Sequence, residues 1–206
     1  MYREFIKYVR LPESMLDNHF SIIYNSVDKI FEEQVFDNLR NKKYDFITIR
    51  ANLDGSKYAI DIVNKIAQNT PTGKFLVVGK GNFFKYYLKA DNITWLDKVL
   101  THDEIISLLQ ESRFALMPTR TDAQGVMMCE MAAFGIPVIT SDIPVCREIF
   151  GNFANVTYIH NDDTNLSLRK YVCQQSQSIK DMRYSAEFTM NKEVNIIDEI
   201  VVKDNI

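Results

Sequence analysis

Residues 114–142 read FALMPTRTDAQGVMMCEMAAFGIPVITSD. The run 114–118 is apolar and has the length of a fully buried strand. A polar loop, 119–124, ends at Gly125. Residues 126–134 are then apolar almost all round, the pattern of a helix covered on every side. Gly135 and Pro137 stop it, and Val138, Ile139 and Thr140 begin the next buried strand. Strand, loop, helix, strand is the unit whose loop end gathers ligands in parallel α/β sheets.

One residue in that helix is out of place. Glu130 stands among Met127, Met128, Cys129, Met131, Ala132 and Ala133. An unpaired carboxylate in such surroundings costs several kcal/mol. It therefore requires a partner, either a protein cation or the hydroxyls of a ligand. Just ahead of the helix stand Asp122 and Gln124, where backbone N–H groups lack intrahelical acceptors and suit a phosphate. Asp122 reads equally well as a plain N-cap.

Working outward, the expected strands fall at 45–50, 74–79, 93–96, 114–118, 137–141 and 156–159, alternating with helices. That alternation predicts a parallel sheet with helices on both faces. Arg50 ends the first strand, and Asp54-Gly55 marks the turn that follows it. Ser56 is the expected cap of a helix opening at Lys57 and running to about residue 69. Arg50 and Lys57 thus flank a loop at the sheet's C-terminal edge, either as two surface cations or as a pair that holds a diphosphate.

Gly79-Lys80-Gly81 closes the second strand and permits close backbone approach. It lacks the third glycine of a dinucleotide fingerprint. A helix carrying Phe83, Phe84, Tyr86, Tyr87 and Leu88 follows, read as core packing. Thr101-His102-Asp103-Glu104 has the form of a capping box, with His102 on the surface at the helix start. Asn161-Asp162-Asp163 reads as a loop rather than a metal site, because hard-cation loops supply more oxygen ligands. Two closing helices are expected, at 166–177 and 186–200. Residues 21–28, SIIYNSVD, read as a strand ending in a turn.

Composition narrows the class. A chain of 206 residues suits one domain, or one domain with a long extension. Net charge is −3 with no basic block, which argues against a nucleic-acid partner. Cys129, Cys146 and Cys173 give neither a disulfide framework nor metal-ligand spacing. No stretch has the length of a spanning helix, and the opening MYREFIKYVRLPESM lacks a signal-peptide apolar region. The expected compartment is cytoplasmic.

The central stretch resembles the signature of the retaining GT-B glycosyltransferases, the glycosyl transferases group 1 or family 4. That signature is an acidic residue, seven residues, then Glu, with a Gly-rich turn between and a Gly-x-Pro-Val strand afterwards. Here it reads Asp122-Ala-Gln-Gly-Val-Met-Met-Cys-Glu130, followed by Gly135-Ile-Pro-Val138. The first acid is usually Glu in the family, so Asp122 reaches one methylene less far. Residues 21–28 are similar to the family's interdomain segment, with Ser26 in place of the usual Gly.

The resemblance implies an α/β, Rossmann-like parallel sheet with helices on both faces, one half of a GT-B fold. It divides the chain into residues 1–20, the tail of an absent acceptor domain, and residues 21–206, the nucleotide-sugar-binding domain. It implies retaining transfer of a hexose from a UDP- or GDP-linked sugar, in cell-surface polysaccharide synthesis, with no metal and no cofactor beyond that donor.

Glu130 would hold the ribose hydroxyls, Asp122 would orient the donor sugar, and Arg50 and Lys57 would neutralise the diphosphate. Backbone groups of Ala123, Gln124, Gly125 and Val126 would assist at the helix N-terminus. Gly79, Lys80 and Gly81 would approach the donor, and the base would lie on the backbone near Val99. The implied partner is an N-terminal acceptor-binding domain, through which any membrane association would be peripheral. By itself this chain would bind donor and transfer nothing. A non-catalytic, doubly wound ligand-binding domain, with Glu130 paired to a core Arg, is the alternative from another class.

Overall fold

The computed structural model describes residues 21–203. Among these, six strands form one parallel sheet in the order β3-β2-β1-β4-β5-β6. They are β1 (Tyr44–Asn52), β2 (Phe75–Lys80), β3 (Ile93–Leu96), β4 (Ser112–Met117), β5 (Val138–Ser141) and β6 (Val156–Ile159). Helices α1 (Lys29–Glu33), α2 (Ile60–Asn69), α3 (Phe83–Tyr86), α4 (His102–Gln110), α5 (Val126–Phe134), α6 (Pro144–Phe150) and α7 (Ala186–Lys203) surround it.

Strand alternation divides the core in two. Ile47, Ile49, Leu76, Val78, Ala115 and Met117 face a cluster built with α1, α4, α5 and α6. Phe46, Phe75, Val77, Phe114 and Leu116 face the opposite cluster with α2. Phe46 and Phe75 are register partners of β1 and β2, and their rings stack at 4.7 Å. With both faces covered, the strands need no polar face, and β1 is buried from Tyr44 through Arg50.

The strand order reverses between β1 and β4. In a doubly wound sheet the C-terminal ends of strands diverging at that point leave a crevice for ligands. Arg50 lies near the end of β1 and Pro118 just beyond β4, so both belong to that crevice.

Several local expectations are corrected. Residues 21–28 pair with no strand and instead lead into α1, where Asp28 is the N-cap and accepts from the Ile30 amide. Helix α2 starts at Ile60. Residues Ser56–Tyr58 form a 3-10 turn, and left-handed Ala59, not Ser56, stands at the helix N-cap position.

Helix α3 is a single turn. Phe83 and Phe84 pack on the core, but Tyr86, Tyr87 and Leu88 are exposed. The expected helix at 166–177 reduces to a 3-10 turn, Arg169–Tyr171. There the Thr70 hydroxyl accepts the Leu168 amide, and Asn69 donates to the Thr164 and Leu166 carbonyls, satisfying backbone groups a helix would use. Residues 1–20, read as a domain tail, lie outside the described residues. No helix among the described residues is long and apolar enough to cross a membrane.

Candidate functional site

Arg50, Lys57 and Asp122 come together at the sheet's C-terminal edge. The Arg50 guanidinium is buried, donates to the Pro118 carbonyl at 2.8 Å and lies over the Tyr58 ring at 5.2 Å. Its Nε is buried with no hydrogen-bond acceptor. Burial lowers its pKa to about 10, while the nearby Asp122 charge opposes that fall. Lys57 Nζ lies 3.4 Å from Asp122 Oδ1. The crevice thus holds two cations against one carboxylate, leaving room for further negative charge.

Lys57 is placed by contacts the sequence reading missed. Its carbonyl accepts from the Arg120 amide and the Thr119 hydroxyl. Arg120 also donates to the Ser56 carbonyl and to both oxygens of Asp61, at 2.9 and 2.6 Å. One side chain therefore ties the β4 loop to the turn that carries Lys57. The loop is held from its other side by Asn161, which donates to the Thr119 carbonyl and accepts from Ser141. Asp163 accepts the Asn165 amide, an Asx turn.

Asp122 is not the N-cap of α5. That position belongs to Gly125, in the left-handed region at φ 72°, with no side-chain cap. Asp122 Oδ1 instead accepts the amide of Ala123 at 2.8 Å, so Ala123 is already engaged. The Gln124 side chain faces inward. Its Oε1 accepts the Asn25 amide and its Nε2 donates to the Asn25 carbonyl, both at 2.7 Å. Gly125 and Val126 follow at the helix start, partly exposed.

The Gly79-Lys80-Gly81 loop is packed against the protein itself. Gly79 has φ 152°, and a Cβ there would lie 2.2 Å from the Arg50 carbonyl oxygen. Asp54, from the turn after β1, accepts the Asn82 amide and fills the space beside Gly81. The glycines thus let the β2 loop close on the β1 end, the backbone that carries Arg50. Lys80 reaches Asp97 at 4.0 Å, and Val99 is exposed.

Glu130 lies on the buried length of α5 and is 7% exposed. No Arg or Lys among the described residues forms an ion pair with it. Its neighbours are His102, at the first turn of α4, and Asp28, whose backbone amide favours the charged carboxylate. Burial nonetheless dominates and pushes its pKa up to about 7. The His102 charge pulls it down, the Asp28 carboxylate pushes it up, and the Asp28 amide lowers it. His102 stands at the helix start as expected, within the capping box of Thr101 and Glu104. Its proximity to Glu130 was not legible, because the two residues meet only through the fold.

The sequence pattern that defines the glycosyl transferases group 1 matches residues 46–172, more than half of the chain. The chain belongs to the glycosyl transferases group 1. It is 25% identical over 205 residues to the O-antigen biosynthesis glycosyltransferase WclY of Escherichia coli, covering 87% of this chain and 56% of that protein. It is 27% identical over 151 residues to the O-antigen chain mannosyltransferase RfbU of Salmonella typhimurium (strain LT2), covering 69% and 40%. The chain thus spans about half the length of these relatives.

Solved structures share this fold. WaaG, a glycosyltransferase involved in lipopolysaccharide biosynthesis, superposes with a TM-score of 0.64 at 16% identity, over 84% of this chain and 51% of that one. The lipopolysaccharide outer core galactosyltransferase WaaB gives 0.67 at 14% identity, over 87% and 55%. These likenesses establish the Rossmann-like domain of a GT-B glycosyltransferase as the architecture.

Proposed function

We propose that this chain is the donor-binding half of a retaining glycosyltransferase that moves a hexose from a UDP- or GDP-linked sugar to an acceptor in cell-surface polysaccharide synthesis. One observation carries the reading. Glu130 is a buried carboxylate with no Lys or Arg partner among the described residues, on the helix that opens at the cation-bearing crevice. Two ribose hydroxyls donating to it would satisfy its oxygens and offset the cost of its burial.

The chemistry follows from charge. As the glycosidic bond breaks, negative charge accumulates on the departing diphosphate, and catalysis requires that charge to be met by groups already in place. Arg50 and Lys57 supply it, Arg50 with a buried Nε still lacking an acceptor. Amides at the start of α5 add the positive end of the helix dipole. When diphosphate draws Lys57 toward itself, Asp122 is released to face the donor sugar.

Transfer needs a second wall to the cleft. In this reading an acceptor-binding domain supplies it and also covers the apolar side chains that α7 leaves exposed, among them Phe188, Val194, Ile197 and Ile200. The O-antigen assignments of WclY and RfbU support the polysaccharide context. Thermal unfolding with UDP, GDP and ADP tests the donor half of the proposal. One nucleoside diphosphate should raise Tm by mass action. A Tm unmoved by all three at millimolar concentration would favour a domain that binds something else.

A further inference from the structure

The guanidinium of Arg120 is fully committed to the turn after β1 and to the helix behind it. Its Nη1 donates to the Ser56 carbonyl and to Asp61 Oδ1, both at 2.9 Å, and its Nη2 donates to Asp61 Oδ2 at 2.6 Å. Asp61 stands in the first turn of α2, a firm support. The Arg120 amide reaches the Lys57 carbonyl at 2.9 Å, and the Thr119 hydroxyl donates to the same carbonyl at 3.0 Å. Two successive carbonyls of the turn are thus gripped from the β4 loop, which two residues later carries Asp122.

That turn has little else to hold it. It is three residues of 3-10 helix, closed by bonds from the Tyr58 and Ala59 amides to the Gly55 and Ser56 carbonyls. It passes into α2 through Ala59 at φ 51°, a left-handed conformation that costs a residue with a Cβ. Both cations of the crevice depend on it. Lys57 is its central residue. The ring of the next one, Tyr58, lies 5.2 Å from the Arg50 guanidinium carbon and 5.4 Å from Lys57 Nζ. A shift of the turn would therefore withdraw one cation and move the aromatic face beside the other.

We propose that Arg120, clamped on Asp61, is a positioning residue for the donor diphosphate, fixing the turn that sets Lys57 and the Tyr58 ring beside Arg50. This rests on the reading of Arg50 and Lys57 as the groups that meet the diphosphate. An ion pair whose side chains are 40% and 55% exposed contributes little to folding. Its effect is on geometry, because a preorganised site tolerates displacements of only about 0.5 Å. The planar fork that joins both Asp61 oxygens and a carbonyl is beyond the reach of a lysine.

Hydrogen exchange and calorimetry on the full chain test the inference. In Arg120→Ala without ligand, the amides of Tyr58 and Ala59 should exchange faster, while those of β2 keep their wild-type rates. UDP and GDP should bind this variant several-fold more weakly, and uridine and guanosine as they bind wild type. Arg120→Lys, which keeps the charge and loses the fork, should fall between. Asp61→Ala should weaken diphosphate binding in the same way. The double variant Arg120→Ala/Asp61→Ala should be no weaker than Arg120→Ala, since both changes open one clamp. If Arg120→Ala does not fold, Arg120→Lys and Asp61→Ala provide the same comparison. Unchanged exchange at Tyr58 and Ala59 in all single variants would overturn the inference, even if Lys57 proves to bind diphosphate. Additive losses in the double variant, or equal weakening for nucleoside and diphosphate, would overturn it as well. Wild type that binds neither UDP nor GDP would overturn the diphosphate reading first, and the role of Arg120 with it.

Discussion

Lys57 Nζ and Asp122 Oδ1 lie 3.4 Å apart at the mouth of the crevice, with Asp122 nearly covered and Lys57 partly open to solvent. A partly exposed pair of this kind contributes less than about 1 kcal/mol to folding. Its value is to hold both groups ready. Lys57→Met should leave Tm within a few degrees and weaken UDP or GDP binding about tenfold, as expected for loss of one charged hydrogen bond. The free nucleoside should bind both proteins alike. Equal weakening for nucleoside and diphosphate would move Lys57 away from the phosphates.

Glu130 makes the empty protein pH-sensitive in a defined direction. Its folded pKa, about 7, lies above the ordinary carboxylate value because burial disfavours the charge. Between the unfolded and folded values the native state binds more protons than the unfolded chain, so this group lowers stability as pH rises through that window. The penalty is fully present above pH 7 and absent below the unfolded value. Glu130→Gln should therefore stabilise the ligand-free protein at pH 8.5, on the order of a few kcal/mol, and have little effect near pH 4. Urea unfolding at the two pH values measures this. A difference that does not change with pH would mean that the carboxylate is solvated.

The Gln124 amide uses both ends on the backbone of Asn25. Gln124→Ala leaves that donor and acceptor unpaired and should cost about 1–3 kcal/mol. Gln124→Glu retains only the acceptor and should fall between the two. Loss of protection at the amides of 24–28 in hydrogen exchange would locate the effect. Unchanged protection there would show that the segment is held by other contacts, such as the bond from Val27 to Tyr184.

Much of this architecture was readable because buried parallel strands leave a plain record. Residues such as Phe46, Ile47, Thr48 and Ile49 are covered on both sides, so their run needs no partner to be recognised. Glu130 was legible for the complementary reason, as a charge where the helix has no polar face. Residues 21–28 misled because their apolar pair looks like a strand, yet Gln124 and Tyr184 satisfy their backbone without a ladder. Arg120 and His102 were missed as site elements for one shared reason. Each acts on residues distant in sequence, Asp61 for one and Asp28 for the other, and no local spacing encodes those meetings.

Gly79 carries a backbone requirement that bears directly on the crevice. Alanine there would place its Cβ against the Arg50 carbonyl, at a φ that L-residues rarely adopt. Gly79→Ala should lower Tm by several degrees and weaken diphosphate binding through displaced Arg50. If stability falls while affinity in the folded fraction is unchanged, Arg50 is not set by that contact.

The central claim is that Glu130 grips the ribose of a nucleoside diphosphate, and a two-by-two comparison tests it most directly. Calorimetry would measure the preferred diphosphate and its 2′,3′-dideoxy analogue against wild type and Glu130→Ala. The dideoxy analogue should bind wild type at least tenfold more weakly, and Glu130→Ala should bind both forms equally. Equal loss on deoxygenation in both proteins would contradict the account, because the hydroxyls would then be recognised without Glu130.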